Sequence, residues 1–260
     1  DMVSRGLGDV YKRQVLDVPV PRLSTSTQSF PPMNRDISCI VCVFPLLAVL
    51  MVPVIHSKAI QAEDWPIVYE TDFEKGADRW SPTEKDTWKI KSTEGGHVYS
   101  QYTKAGTYKP PHRSPHHISL INDLKLKSFQ LDVDVKSTHP DYGHRDACLF
   151  FGYQNPAQFY YVHLGQEMDN HANQIFIVNR ADRTKISSKT TSGTPWDDQW
   201  HHVRVIRDTE KATIQIFFDD MKTPVMEAMD KNFLWGQLGL GSFDDTADWD
   251  NLVVRGTLLD

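Results

Sequence analysis

Cysteine is scarce. Three occur in 260 residues, and two of them, Cys39 and Cys42, sit inside one early apolar run, which excludes a disulfide scaffold. Basic charge is short as well: 28 Lys and Arg stand against 34 Asp and Glu, a formal net charge of -6. A general nucleic-acid binder needs clustered Lys and Arg, and this balance argues against one. The nucleophile elbow, the phosphate loop and the dinucleotide fingerprint are all absent, so no organic cofactor is expected. Histidine is plentiful but badly spaced for zinc. There is no His-Glu-x-x-His, no His-x-His and no Cys pair beside them.

What is present divides the chain near residue 62. Asp9-Val-Tyr-Lys-Arg-Gln14 is similar to the in-frame translation of a transposase-type sequencing adapter, and Val15 to Pro32 is rich in Ser, Thr and Pro without periodicity. Residues 1–32 therefore read as adapter-derived or untranslated leader and are set aside. Residues 33–62 have the layout of a secretory signal peptide: Arg35 at the basic start, 19 uncharged residues from Ile37 to Ile55, and small residues at Ala59 and Ala62. The alternative is a retained anchor, since about 18 apolar residues span a bilayer. Pro45 and Pro53 break the run, and no Lys/Arg cluster follows it. Export with cleavage is expected, giving a secreted or periplasmic domain that meets a membrane only if the segment stays uncleaved.

Residues 63–260 then form one domain. Six of the 28 basic and four of the 34 acidic residues precede it, leaving 22 and 30, so its net charge is about -8. All seven tryptophans and ten of the eleven histidines lie here, with Cys148 as the one remaining thiol. The dominant period is two. Leu131, Val133 and Val135 alternate with Asp132, Asp134 and Lys136; Val203 and Val205 alternate with Arg204 and Ile206; Ile214, Ile216 and Phe218 alternate with Gln215 and Phe217. Turn signals such as His139-Pro-Asp-Tyr-Gly143, Asn155-Pro156 and Ser192-Gly-Thr-Pro195 separate the runs. Only Val225 to Lys231 suggests a helical turn. Short strands at this spacing predict an all-β antiparallel sandwich or jelly roll.

The order of the pieces is more specific than the class. Tyr69-Glu-Thr-Asp-Phe73 opens the domain, Trp200-His-His-Val-Arg-Val-Ile-Arg207 and a strand ending at Asp220 follow, then Gly236-Gln-Leu-Gly-Leu-Gly-Ser-Phe243 and Asp248-Trp-Asp-Asn-Leu-Val-Val254. This order resembles the concanavalin A-like superfamily, in its laminin-G-like and DUF1080 (3-keto-disaccharide hydrolase) branches. The resemblance implies a concanavalin A-like jelly roll, a glycan ligand on its concave face, and a structural Ca²⁺ where first and last strands meet. Asp72 and Asp250 match the carboxylates of that metal pattern, although the same residues serve equally as a turn former and an edge-strand charge. The superfamily hosts lectins, hydrolases and lyases, so fold alone does not name the reaction.

Candidate site residues follow from the alternation. In Phe159-Tyr-Tyr-Val-His-Leu164, Tyr160, Val162 and Leu164 are expected to face the core, leaving Tyr161 and His163 on the opposite face. Loops add Arg113, His144, Arg145, Asp146, Asp169, His171 and, next to them, Gln174. Sugars are held by aromatic rings with convergent polar groups, and Arg or His suits anionic ones. A lyase would take Tyr161, His163 or His171 as base and Arg145 to neutralise a uronate; Arg113, His144, Asp146, Asp169 and Gln174 would bind substrate. The Glu-x-Asp-x-x-Glu strand of family 16 glycoside hydrolases is absent. Tyr102-Thr-Lys-Ala-Gly-Thr-Tyr108 is similar to a motif of family 7 alginate lyases, but lies near the wrong end of the domain. The expected partner is a polysaccharide or oligosaccharide, bound and cleaved as by a glycoside hydrolase, with a polysaccharide lyase as second choice and a non-catalytic lectin-like or laminin-G-like module as the alternative. Oligomeric state is not legible.

Overall fold

The computed structural model describes residues 62–259, so the leader and nearly all of the signal-peptide segment lie outside the described residues. Alternating sequences make strands, and here they make two antiparallel sheets. The first sheet contains β1 (Ile67–Thr71), β3 (Trp88–Thr93), β4 (Gly96–Gln101), β6 (Leu126–Ser137), β11 (Ser187–Lys189), β12 (His201–Asp208), β13 (Thr213–Phe218), β14 (Met226–Met229) and β16 (Ala247–Leu258). Its order is β11-β14-β13-β12-β6-β16-β4-β3, with β1 also paired to β16. The second sheet contains β2 (Trp80–Pro82), β5 (His117–Ile121), β7 (Asp146–Asn155), β8 (Gln158–Gly165), β9 (Gln174–Asn179), β10 (Thr184–Lys185) and β15 (Gln237–Ser242). Its order is β10-β9-β8-β7-β15-β5-β2. Among the described residues helix is confined to two 3₁₀ turns, Ala62–Asp64 and Lys85–Thr87. The expected helical turn at 225–231 is instead β14, because Met226 and Ala228 alternate with Glu227 and Met229 and pair with β13.

The period-two residues meet between the sheets. Leu131, Val133, Val135, Val203, Val205, Ile214 and Ile216 from the first sheet pack with Leu149, Phe151, Tyr160, Val162, Leu164, Ile175 and Leu240 from the second. Trp80, Trp88, Tyr99 and Phe73 close one end, with the Tyr99 ring stacked 4.6 Å from Trp88 and 5.3 Å from Phe73. Arg207, on the inward face of β12, is buried and donates to the carbonyls of Asp230 and Phe233, so its charge is met by main-chain oxygens.

The outer faces of the two sheets differ. That of the first sheet is polar, carrying Asp132, Asp134, His202 and Arg204. That of the second is apolar and yet buried: Ile118, Cys148, Phe150, Tyr153, Phe159, Tyr161, Phe176 and Val178 form a second cluster. The strand-free segment 102–116 crosses it as a strap. Leaving β4, it is caught by Glu84, whose carboxylate accepts both the N–H and the hydroxyl of Thr107. It reaches the far side of the sheet, where Arg183 N–H donates to the Arg113 carbonyl (3.1 Å) and Arg113 N–H to Asp182 Oδ1 (2.9 Å). Pro110, Pro111 and Pro115 limit its backbone freedom.

Trp249 is fully enclosed on β16, whereas Trp200 is 42% exposed in the turn before β12. Trp249→Ala is expected to lower unfolding free energy by about 3–5 kcal/mol. Trp200→Ala should change it by less than about 0.5 kcal/mol, as surface substitutions do. Urea denaturation of both variants checks the contrast.

Candidate functional site

Strand register gathers the chemistry at one end of the second sheet. Cys148 lies opposite His163, His163 opposite Gln174, and Cys148 also opposite Gly241. β7 begins at Asp146 and β15 ends just before Phe243, so those residues join the same corner. Gly165, paired with Asp146, leaves room for the returning loop: a Cβ there would sit 2.8 Å from the Ala172 Cβ and 2.9 Å from the Asn173 nitrogen.

The alternation in β8 falls as expected, with Tyr160, Val162 and Leu164 in the core and Tyr161 on the opposite face. That face is not an open sugar platform, however. Tyr161 is fully buried and His163 is 4% exposed. Arg183 closes over them: its guanidinium lies 4.8 Å from the Phe176 ring centre and 4.4 Å from that of Phe243, and its Nη1 donates to the Tyr161 hydroxyl. Burial pushes the Tyr161 phenol upward. Burial, with the Arg183 and His144 charges, pushes the His163 imidazole down to about 3. A base must touch the proton it removes, and in this structure neither residue is reachable by a substrate.

The other expected residues separate into two groups. Arg145 is buried, and its Nε and Nη2 donate to Ser137 Oγ, the carbonyls of Ser137 and Asp197, and Asp198 Oδ1. It clamps loops rather than meeting a uronate, because its fork is already occupied. Gln174 is buried and donates to the Asp169 carbonyl, and Asp146 is fully buried. Asp169 accepts the N–H groups of His171 and Ala172; these hold its carboxyl below the usual range despite an opposing desolvation. Arg113, His144, Asp169 and His171 are exposed.

Sequence reasoning passed over the residues that carry this corner to solvent. Tyr142 is 37% exposed and its hydroxyl donates to both oxygens of Asp245 at 2.9 Å. Its ring lies 5.0 Å from His139 and 6.4 Å from His144. Asp245 is itself fully buried, accepts the Asp146 N–H, and has His139 Nε2 at 3.3 Å. Burial raises both carboxyls, and the Asp245 charge raises Asp146 further. The signal for Tyr142 was its place in the turn His139-Pro-Asp-Tyr-Gly143, which read only as a turn.

Asp72, just after β1, and Asp250, on β16, each accept a neighbouring backbone N–H: Asp72 Oδ1 that of Glu74, and Asp250 Oδ1 that of Asn251. Burial, then Asp134, Asp72 and Glu74, raise the Asp250 carboxyl. Asp72, Thr71, Glu70, Lys75 and Asn251 line a surface groove of about 400 Å³. Among the described residues, no three carboxylates here bring oxygens within 4.8 Å, so a cation would need most of its shell from carbonyls and water.

No protein family and no curated protein matches this sequence. Among solved structures, the GH43 BlXynB protein from Bacillus licheniformis superposes with a TM-score of 0.51 at 10% identity, over 74% of this chain and 40% of that one. The fold is a concanavalin A-like jelly roll. Carbohydrate-binding module CBM66 from Bacillus subtilis gives 0.49 at 19% identity over 68% of this chain and 96% of its own. The winged bean acidic lectin, complexed with methyl-α-D-galactose, gives 0.47 at 14% identity over 74% and 98%. At these identities the likeness concerns the fold alone.

The outer face of the first sheet yields a pH prediction. His202 Nδ1 lies 2.7 Å from Asp134 and its Nε2 3.0 Å from Asp132, which is also bound by Arg204 at 2.7 Å. Asp132 and Asp134 raise the imidazole to about 9, against an ordinary 6.5. The folded state therefore holds this proton more tightly than the unfolded chain. Its contribution is complete below about 6.5 and disappears as pH rises through about 9. His202→Gln should flatten the fall of melting temperature over that window; an unchanged slope would remove His202 from the account.

Proposed function

We propose that this domain binds a polysaccharide or oligosaccharide at the loop corner around Tyr142. The observation that carries this reading is the exposed Tyr142 ring, fixed through its hydroxyl to Asp245 and flanked by His139 and His144. A rigid ring offers a face for the C–H side of a sugar, and the groups around it supply hydrogen bonds. Gln166, Asp141 and Lys104 surround it: Gln166 Nε2 donates to Asp141 Oδ1, and Lys104 Nζ lies 3.2 Å from His139 Nε2. The resemblance of the strand order to the laminin-G-like and DUF1080 domains agrees with a sugar ligand.

Binding without cleavage is the form the geometry favours. Glycoside hydrolysis needs two carboxyl groups facing the bond. The close pair with raised pKa here, Asp146 and Asp245, is entirely buried. A glycan panel incubated with residues 63–260 tests both parts. Retention of one glycan without new reducing ends or unsaturated products is expected, and Tyr142→Ala should weaken it about tenfold, the value of one lost ring contact. Undiminished binding by Tyr142→Ala would move the site elsewhere, and new reducing ends would restore the hydrolase reading.

The same reading keeps a Ca²⁺ ion at Asp72 and Asp250 and a location outside the cytoplasm. The crowding that raises Asp250 is of the kind a divalent cation relieves. A ligand of the native state raises stability, so added Ca²⁺ is expected to lift the melting temperature and a chelator to lower it. A melting curve indifferent to both would end the calcium claim.

A further inference from the structure

The strap hides a cluster that the sugar site does not use. Asp146 and Cys148 project from β7 and His163 from β8, all on the outer face of the second sheet and all buried. Cys148 Sγ lies 3.3 Å from Asp146 Oδ2, and His163 Nε2 lies 3.3 Å from the same oxygen. One carboxylate oxygen thus gathers three groups, because the Phe243 N–H also donates to it at 2.8 Å. The other oxygen of Asp146, equally buried, has no partner. A buried carboxylate oxygen without a partner calls for something beyond these hydrogen bonds, such as an ion. A lopsided gathering of sulfur, imidazole nitrogen and carboxylate oxygen is the arrangement of a metal-ligand set.

The distances fit one metal class. Ligands held tetrahedrally at about 2.0–2.3 Å from zinc lie roughly 3.3–3.7 Å from one another. The two separations from Asp146 Oδ2 are both 3.3 Å, and one ligand atom from each of the three residues falls within 4.8 Å of the others. Thiolate and imidazole select a borderline-soft ion over calcium or magnesium. We propose that Asp146, Cys148 and His163 form a three-ligand site for a divalent zinc-type ion beneath the strap.

The protons balance. On binding, the Cys148 thiol and the Asp146 carboxyl release their protons to solvent and bind as thiolate and carboxylate, and the His163 proton sits on Nδ1 so that Nε2 can coordinate. A dication, a thiolate and a carboxylate sum to zero charge, which suits a buried site. The fourth position is left to water. Phe176 and Phe243, whose rings lie 6.4 and 6.2 Å from His163, wall the site. The strap and Arg183 control entry, so loading accompanies folding.

The test uses the chain itself, unfolded and refolded with zinc or cobalt and then freed of excess metal. About one zinc per chain is expected by elemental analysis. The cobalt form should show a thiolate-to-metal charge-transfer band in the near ultraviolet. Cys148→Ser should lose that band, and Asp146→Asn should lose zinc while keeping a side chain of the same shape. Circular dichroism of both variants separates lost metal from lost fold. Folded wild-type protein with neither retained zinc nor a cobalt band would overturn the proposal and leave the cluster as hydrogen bonding only. Glycan binding is read separately at Tyr142, so failure of one inference leaves the other standing.

Discussion

The second sheet is apolar on both faces, and the rest of the molecule is arranged around hiding both. One face is met by the first sheet in the usual manner of a sandwich. The other carries Phe150, Phe159, Tyr161 and Phe176, whose exposure would cost on the order of 1.5–3 kcal/mol for each large side chain. The strap answers this. It is tied at its start to Glu84 and near its end to Asp182 and Arg183, and between those points Pro110 and Pro111 restrict it. One tie, Arg183 to Arg113, is main chain to main chain, so it does not depend on which side chains occupy those positions.

This constraint relocates function. In an open sandwich the face opposite the core is available to a ligand, and Tyr161 and His163 would stand on it. With that face closed, the accessible chemistry shifts to the corner where β7 begins and β15 ends. The exposed rings and charges come from the loops there, while the strands behind hold a fixed, dry arrangement of Asp146, Asp245, Cys148 and His163. The polar outer face of the first sheet behaves oppositely: water reaches it, and charges such as His202, Asp132 and Asp134 compensate one another instead of being expelled.

Much of this was legible beforehand. Alternation in β6, β12 and β13 named the inward residues correctly, because each of those strands has one wet face and one dry face. Alternation in β8 names its inward residues as well, but both faces of that strand are dry. Near-continuous runs such as Ala147-Cys-Leu-Phe-Phe151 and Phe159-Tyr-Tyr-Val-His-Leu164 are what strands buried on both sides look like. The cover was illegible because segment 102–116 has no period at all, and its partners at Asp182 and Arg183 are some 70 residues away. Arg145 reads as a ligand group for a related reason: a single sequence does not show that an arginine's donors are already taken by carbonyls of distant loops.

The outermost strands have a consequence for behaviour in bulk. β10, β2 and β11 are two, three and three residues long. The longer outermost strand β3 carries Lys89 and Lys91. Unpaired strand borders invite a second chain to add its own ladder, and brevity and lysine are the two common defences against that. A molecule in which β-structure dominates, and which must hide so much aromatic surface, is thereby protected from fibrous self-association at the borders where its backbone is least satisfied.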